Sequence, residues 1–151
     1  MIFLYNKNMR HLGIDLGEAR IGIATCGESE MFASPQETYK CRGRAADLAY
    51  IADYCRMTGA GRVVIGLPLN MDGSTGPRAQ KVMDFGAELA AMVDAEVVYQ
   101  DERLTTVTGE NMLIEAGVRR EKRKQVIDKI AAAIILETYL DSKHKSENRQ
   151  Q

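Results

Sequence analysis

Asp15, Glu102 and Asp128 are the carboxylates of this chain whose setting suggests chemistry rather than solubility. Asp15 lies inside the apolar stretch from His11 to Gly17, where an ionised carboxylate is costly unless it is paired or holds a cation. A hydrogen bond to the backbone of the following turn would serve it equally well. Glu102 follows the expected strand Glu96 to Tyr99, so in a parallel sheet it falls at the carboxyl edge of a strand, where open α/β sheets place their ligands. Asp101 should point the other way if the chain stays extended, because successive side chains alternate. Either acid could instead favour the amino end of a helix beginning near Leu104. Asp128 borders the apolar face of the last helix, one turn before Ala131, Ala132 and Ile135. An acid in a first turn also suits the helix dipole.

As a set, the three point to oxygen ligands for hard divalent cations. Magnesium typically takes one or two carboxylates, keeps several waters and completes its shell with substrate phosphate. Two such ions can activate an attacking water and stabilise a leaving oxygen, which is phosphodiester chemistry without histidine. The only histidines are His11 and His144, the second in a polar tail, so a histidine metal site or a Ser-His-Asp triad is disfavoured. Cys26, Cys41 and Cys55 are odd in number, widely spaced and free of CxxC pairs, which predicts reduced thiols.

Phosphates need local cations here, because the formal net charge is only -1. Arg119, Arg120, Lys122, Arg123 and Lys124 place five cations in six positions just ahead of Asp128. They read either as solvated linker or as a grip on a nucleic-acid backbone. The loop from Asn70 to Arg78 could offer backbone N–H groups and a helix amino end to a phosphate, or be a plain connection. It lacks the lysine of a nucleotide-binding P-loop. Arg78 and, beside Glu102, Arg103 complete the candidate nucleic-acid contacts.

The elements that must position these residues follow from periodicity. His11 to Leu16 and Ile21 to Thr25 are hairpin strands around Gly17 to Arg20, with a glycine available for φ > 0. A short third strand is expected at Met31 to Ala33, a helix at Arg44 to Met57 stopped by Gly59 and Gly61, and a buried strand at Arg62 to Leu67. Pro77 begins a helix to Val93, Glu96 to Tyr99 is the next strand, Leu104 to Ala116 a helix closed by Gly117, and Lys124 to Leu140 the last helix. The order ββ(β)αβαβαα implies one α/β domain over residues 9–141, with a mixed five-stranded sheet and helices on both faces. The ends at 1–8 and 142–151 read as poorly ordered, with Met9 an alternative start.

At 151 residues and 45% apolar content the chain can fill one core. Its longest apolar run, Ile130 to Leu136, is far short of the ~20 residues that span a bilayer. The opening Met1 to Tyr5 has no basic region before it and no small-residue cleavage site after it, so a cytoplasmic location is expected.

Four segments together resemble the YqgF/RuvX family of pre-16S rRNA nucleases, also called Holliday-junction-resolvase-like proteins: His11 to Ala24, Val64 to Pro77, Asp101 to Thr106 and Arg123 to Ala133. The resemblance covers roughly residues 9 to 141. It implies an RNase H-like domain related to the RuvC resolvases, with Asp15, Glu102 and Asp128 as acidic triad and metal ligands, and Mg2+ or Mn2+ as cofactor. It also implies a role in maturing the 5′ end of small-subunit ribosomal RNA, with pre-rRNA as the expected partner, branched DNA as the alternative, and ribosomal particles as a further partner; a monomer or weak homodimer is expected. Related resolvases can carry a further acid or histidine one turn before the last aspartate. Here that place holds Gln125, which leaves the number of metals open.

Two other readings compete. The hairpin around Asp15 also resembles the phosphate-binding hairpin of actin-like ATPases and sugar kinases, but those enzymes close two such domains on a nucleotide and this chain has room for one. The other is a nucleic-acid-binding or ribosome-assembly module that keeps the fold without cutting.

Overall fold

The computed structural model describes residues 10–27, 32–103, 115, 117 and 120–149. Strands β1 (His11–Leu16), β2 (Arg20–Cys26) and β3 (Ala33–Lys40) form a meander in which each strand pairs antiparallel with the next, and β4 (Arg62–Leu67) and β5 (Glu96–Asp101) add parallel to β1. The sheet order is β3-β2-β1-β4-β5. Helix α1 (Arg44–Thr58) connects β3 to β4, and α2 (Pro77–Ala90) connects β4 to β5. The last helix, α3 (Arg120–Arg149), lies across the other face. The mixed five-stranded sheet with helices on both faces is thus observed.

The period of two along each strand decides which layer receives each side chain. Leu12 and Ile14 of β1, Ile21 and Ile23 of β2, and Val63 and Ile65 of β4 pack with Leu48 and Ile51 of α1 and Phe85 and Leu89 of α2. The alternate residues face α3: Val64 and Cys26 pack with Ile135, Leu136 and Leu140, and Ala24 with Ala132 and Ala133. Small residues on this face seat the helix closely. A Cβ on Gly22 would stand 1.9 Å from the backbone oxygen of Asp128, so β2 and α3 touch main chain to main chain.

Several boundaries differ from expectation. The third strand spans Ala33–Lys40 rather than 31–33, because most of its residues are polar and the strand forms a half-solvated sheet edge without an apolar signature. Pro35 is tolerated at such an edge. Helix α2 ends at Ala90, not Val93, and β5 continues to Asp101. Helix α3 begins at Arg120, inside the expected basic linker, and continues through 142–149, which was expected to be a loose tail. No glycine or proline interrupts residues 118–149, and Lys, Arg and Glu propagate a helix once packing has nucleated it.

Gly17 does not take a positive φ. A Cβ there would stand 2.6 Å from the Arg20 oxygen, so the tight turn needs its missing side chain instead. The expected helix at 104–116 and the amino-terminal residues 1–9 lie outside the described residues, although Glu115 is helical and Gly117 has φ 73. All three cysteines are free thiols, as expected. Among the described residues no helix is long and apolar enough to cross a membrane.

Candidate active site

Strand parity puts Asp15 on the α3 face of β1, next in alternation after Gly13, whose Cβ position lies against Ala132 and Leu136 of α3. Glu102 follows β5 on that same face, since Val98 packs towards α3 while Val97 and Tyr99 pack towards the opposite layer. Its N–H still bonds the Leu67 carbonyl at 3.2 Å, which continues the β4–β5 ladder one residue further. Asp128 comes from α3 itself, at the point where that helix meets Gly22.

Because β4 lies between β1 and β5, Glu102 can approach Asp15 only by crossing β4. It does so over Gly66, where a Cβ would come within 2.5 Å of the Glu102 Oε2. The side-chain contact between the two acids favours the protonated form of Asp15 and the ionised form of Glu102. Burial, followed by the charges of Glu102 and Asp128, pushes the Asp15 carboxyl up to about 7. Burial also raises Glu102, against the pull of Arg78 and of the Asp15 hydrogen bond. Asp128 is raised by burial too, opposed by Arg20, whose Nε donates to its Oδ2 at 3.1 Å.

These residues line an open groove of about 340 Å³ with Pro68, Arg78, Arg103 and Ala131 among its walls. The structure therefore brings all three predicted carboxylates to one groove, together with two of the predicted cations, Arg78 and Arg103. Among the described residues no three His, Cys, Asp or Glu side chains already converge on one point. Asp15 and Glu102 face each other across Gly66, and Asp128 is turned to Arg20. The available ligand atoms are all carboxylate oxygens, which would suit a hard divalent cation.

Asp101 does point away from Glu102's partners. It accepts hydrogen bonds from the Arg103 N–H at 3.0 Å and the Arg103 Nε at 2.8 Å, and that ion pair lowers its pKa. Arg103 also donates to the Met71 carbonyl at 3.2 Å, tying the end of β5 to the loop after β4. That loop is held by Asp72, which accepts from the Ser74 N–H and hydroxyl, and by Asn70, which donates to the Ser74 hydroxyl. Arg120, Lys122, Arg123 and Lys124 sit on the first two turns of α3 ahead of Asp128, as does Gln125, whereas Arg119 lies outside the described residues.

Arg20 escaped the sequence reading. It looked like part of a turn, yet it opens β2 in phase with Gly22 and Ala24, and that parity aims it at α3.

The sequence profile of the RuvX family, described as Holliday junction resolvase, matches residues 9–142. A relative from Caldanaerobacter subterraneus subsp. tengcongensis, named "Putative pre-16S rRNA nuclease", is 43% identical over 139 residues, covering 91% of this chain and all of that protein. A relative of the same name from Halalkalibacterium halodurans is 47% identical over 135 residues, covering 88% of this chain and 96% of that protein. Among solved structures, T. thermophilus RuvC in complex with a Holliday junction substrate superposes with a TM-score of 0.60 at 13% identity, over 91% of this chain and 97% of that one. The fowlpox virus Holliday junction resolvase gives 0.55 at 14% identity, over 89% and 99%. The two structures share the fold. The profile match and the full-length relatives establish that this chain belongs to the RuvX family.

Proposed function

We propose that this chain is a divalent-metal-dependent endonuclease that hydrolyses phosphodiester bonds of structured nucleic acid, with the 5′ end of pre-16S rRNA as its substrate. The observation that carries this reading is the meeting of Asp15 and Glu102 across Gly66, in a groove that Asp128 enters from α3. The relatives' names supply the substrate.

Asp15, Glu102 and Asp128 would hold Mg2+ or Mn2+, which when bound activates water and neutralises charge developing on the phosphate. Asp15 lies within a central strand between the other two, so it would be the acid best placed to bind together with either of them. Arg78 lines the same groove and lowers the pKa of both Asp15 and Glu102, so it also presents positive charge to an entering phosphate. Arg103, fixed by Asp101, braces the rim. The cations from 119 to 124 extend this attraction along the backbone of the substrate.

The test is cleavage by purified protein of precursor rRNA, generic single-stranded RNA and a four-way DNA junction, each with magnesium or manganese. Metal-dependent cutting of the precursor that disappears in Asp15→Asn supports the proposal. Preferential cutting of the junction would reassign the substrate. Binding without turnover by the intact protein would make it a non-catalytic assembly module.

A further inference from the structure

A second cavity, of about 610 Å³, adjoins the carboxylate groove and shares Leu16, Gly17, Pro68 and Arg78 with it. Its size falls within the ~300–1,000 Å³ of typical small-ligand sites. The remaining wall comes mainly from α2, from the segment joining β3 to α1 and from the first turn of α1. Arg78, Lys81, Val82 and Phe85 recur at helical spacing along one side of α2, while Cys41 and Arg44 approach from the other. That segment is anchored by the Cys41 N–H bonding the Ala19 carbonyl at 2.9 Å.

The cavity combines an apolar floor, Leu16, Pro68, Val82 and Phe85, with cations at its edge, Arg44, Arg78 and Lys81. Of the acids there, Asp47 is engaged by the Tyr39 hydroxyl at 3.0 Å and the Arg42 N–H at 2.8 Å, and Glu18 is exposed. Arg44, Arg78 and Lys81 are all exposed; Arg44 is paired with Glu88 at 2.8 Å, and Arg78 also faces the charges of Asp15 and Glu102. A flat, largely apolar ring joined to an anionic phosphate matches this arrangement. Phosphates alone would not need the floor.

We propose that this cavity receives an unpaired nucleobase of the strand being cut, next to the phosphate lying in the carboxylate groove. The inference rests on the nuclease reading and refines its substrate: the bond cut lies in an unpaired segment of a structured nucleic acid. Paired bases stay in the stack and cannot reach a floor set into the protein without being extruded at a cost. Unstacked bases are also what proteins generally read in RNA. Arg78, common to both cavities, spans the junction between base and phosphate.

Cys41 provides a probe that needs no mutation. It lines the cavity and is half-buried, whereas Cys26 and Cys55 are 5% and 4% exposed. The rate at which N-ethylmaleimide alkylates Cys41 is measured by peptide mass spectrometry, with chelator present so that nothing is hydrolysed. Three probes are compared, each at a concentration shown by fluorescence anisotropy to saturate the protein: oligouridylate, the same length of abasic ribose-phosphate chain, and the matched duplex. Oligouridylate should slow alkylation in proportion to the bound fraction, and the abasic chain and duplex should not. Equal protection by all three would assign the cavity to backbone alone, and no protection by bound oligouridylate would leave it without a base; either overturns the proposal. Failure of the nuclease reading would appear separately, as absence of cleavage with metal, because protection is measured without turnover.

Discussion

Glu102 reaches Asp15 over Gly66, where even a methyl group would lie 2.5 Å from its Oε2 and 2.5 Å from the Ile135 Cδ1. A strand separates the two acids in the sheet, and the residue at the crossing is the one without a side chain. The site therefore depends on three consecutive choices of parity, on β1, β4 and β5, and not only on the acids themselves.

The glycines beneath α3 should fail in different ways. Gly66→Ala meets two side-chain ends, which can shift, so the protein should fold while Glu102 is displaced. Misplacement of this kind costs about 100-fold in rate. Gly22→Ala meets the Asp128 backbone oxygen at 1.9 Å and its carbonyl carbon at 2.3 Å, so the helix itself must move. Overpacking of that sort costs roughly 1–3 kcal/mol or more. Urea melts and cleavage rates of both variants separate the cases. A Gly66→Ala protein as active as the parent would show that Glu102 can reach the site by another path.

Neighbouring acids at the end of β5 should differ in the same assay. Glu102→Gln should abolish cleavage, because Glu102 is the acid in the groove. Asp101→Asn should retain more activity, because it removes only the charge that faces Arg103 at the rim. The opposite ranking, read from initial rates at saturating manganese, would place the metal ligand one residue earlier.

Much of this was legible in the sequence, where the information is local. Asp15 stood out because it interrupts an apolar strand, and alternation along β5 separated Glu102 from Asp101. The polar edge strand β3 was misread because the sheet there has one half-solvated face and needs no apolar pattern. The extent of α3 was underestimated because its charged ends carry propensity without periodicity. Arg20 was missed for a third reason: its partner Asp128 is 108 residues away, and only the packing of α3 on Gly22 brings them together.

The basic segment at the start of α3 should contribute affinity rather than turnover. Replacing Arg120 and Arg123 by Ala removes two cations on the helix that carries Asp128 without touching a carboxylate. Binding should weaken, and the slope of log affinity against log salt should flatten by about 0.7 to 0.9 for each phosphate that is no longer neutralised. Unchanged affinity and slope in filter-binding titrations would return the segment to ordinary solvated surface.

Asp15→Asn gives the most informative test, because the carboxyl it replaces is expensive in the metal-free protein. Its pKa is about 7 in the folded chain, against an ordinary value of 3.8. The folded state therefore holds a proton that the unfolded state releases between those limits. The stabilisation from that proton is complete below the unfolded value and is lost as pH rises through the folded one. Metal-free parent protein should accordingly lose up to a few kcal/mol between about pH 4 and pH 7 through this group, and Asp15→Asn should not. The variant should melt above the parent at pH 8, with the gap closing towards pH 4. Manganese should reverse the order at pH 8, because a bound cation takes the place of the missing proton and stabilises the parent by linkage. That shift should shrink at pH 6, where protons compete for the same oxygens, and should be small in the variant at either pH. The variant should still bind nucleic acid through its cations while cutting none. Equal cleavage by parent and variant across a manganese titration, with parallel melting curves, would reduce Asp15 to a residue that caps the turn after β1 and leave the proposed mechanism without its central ligand.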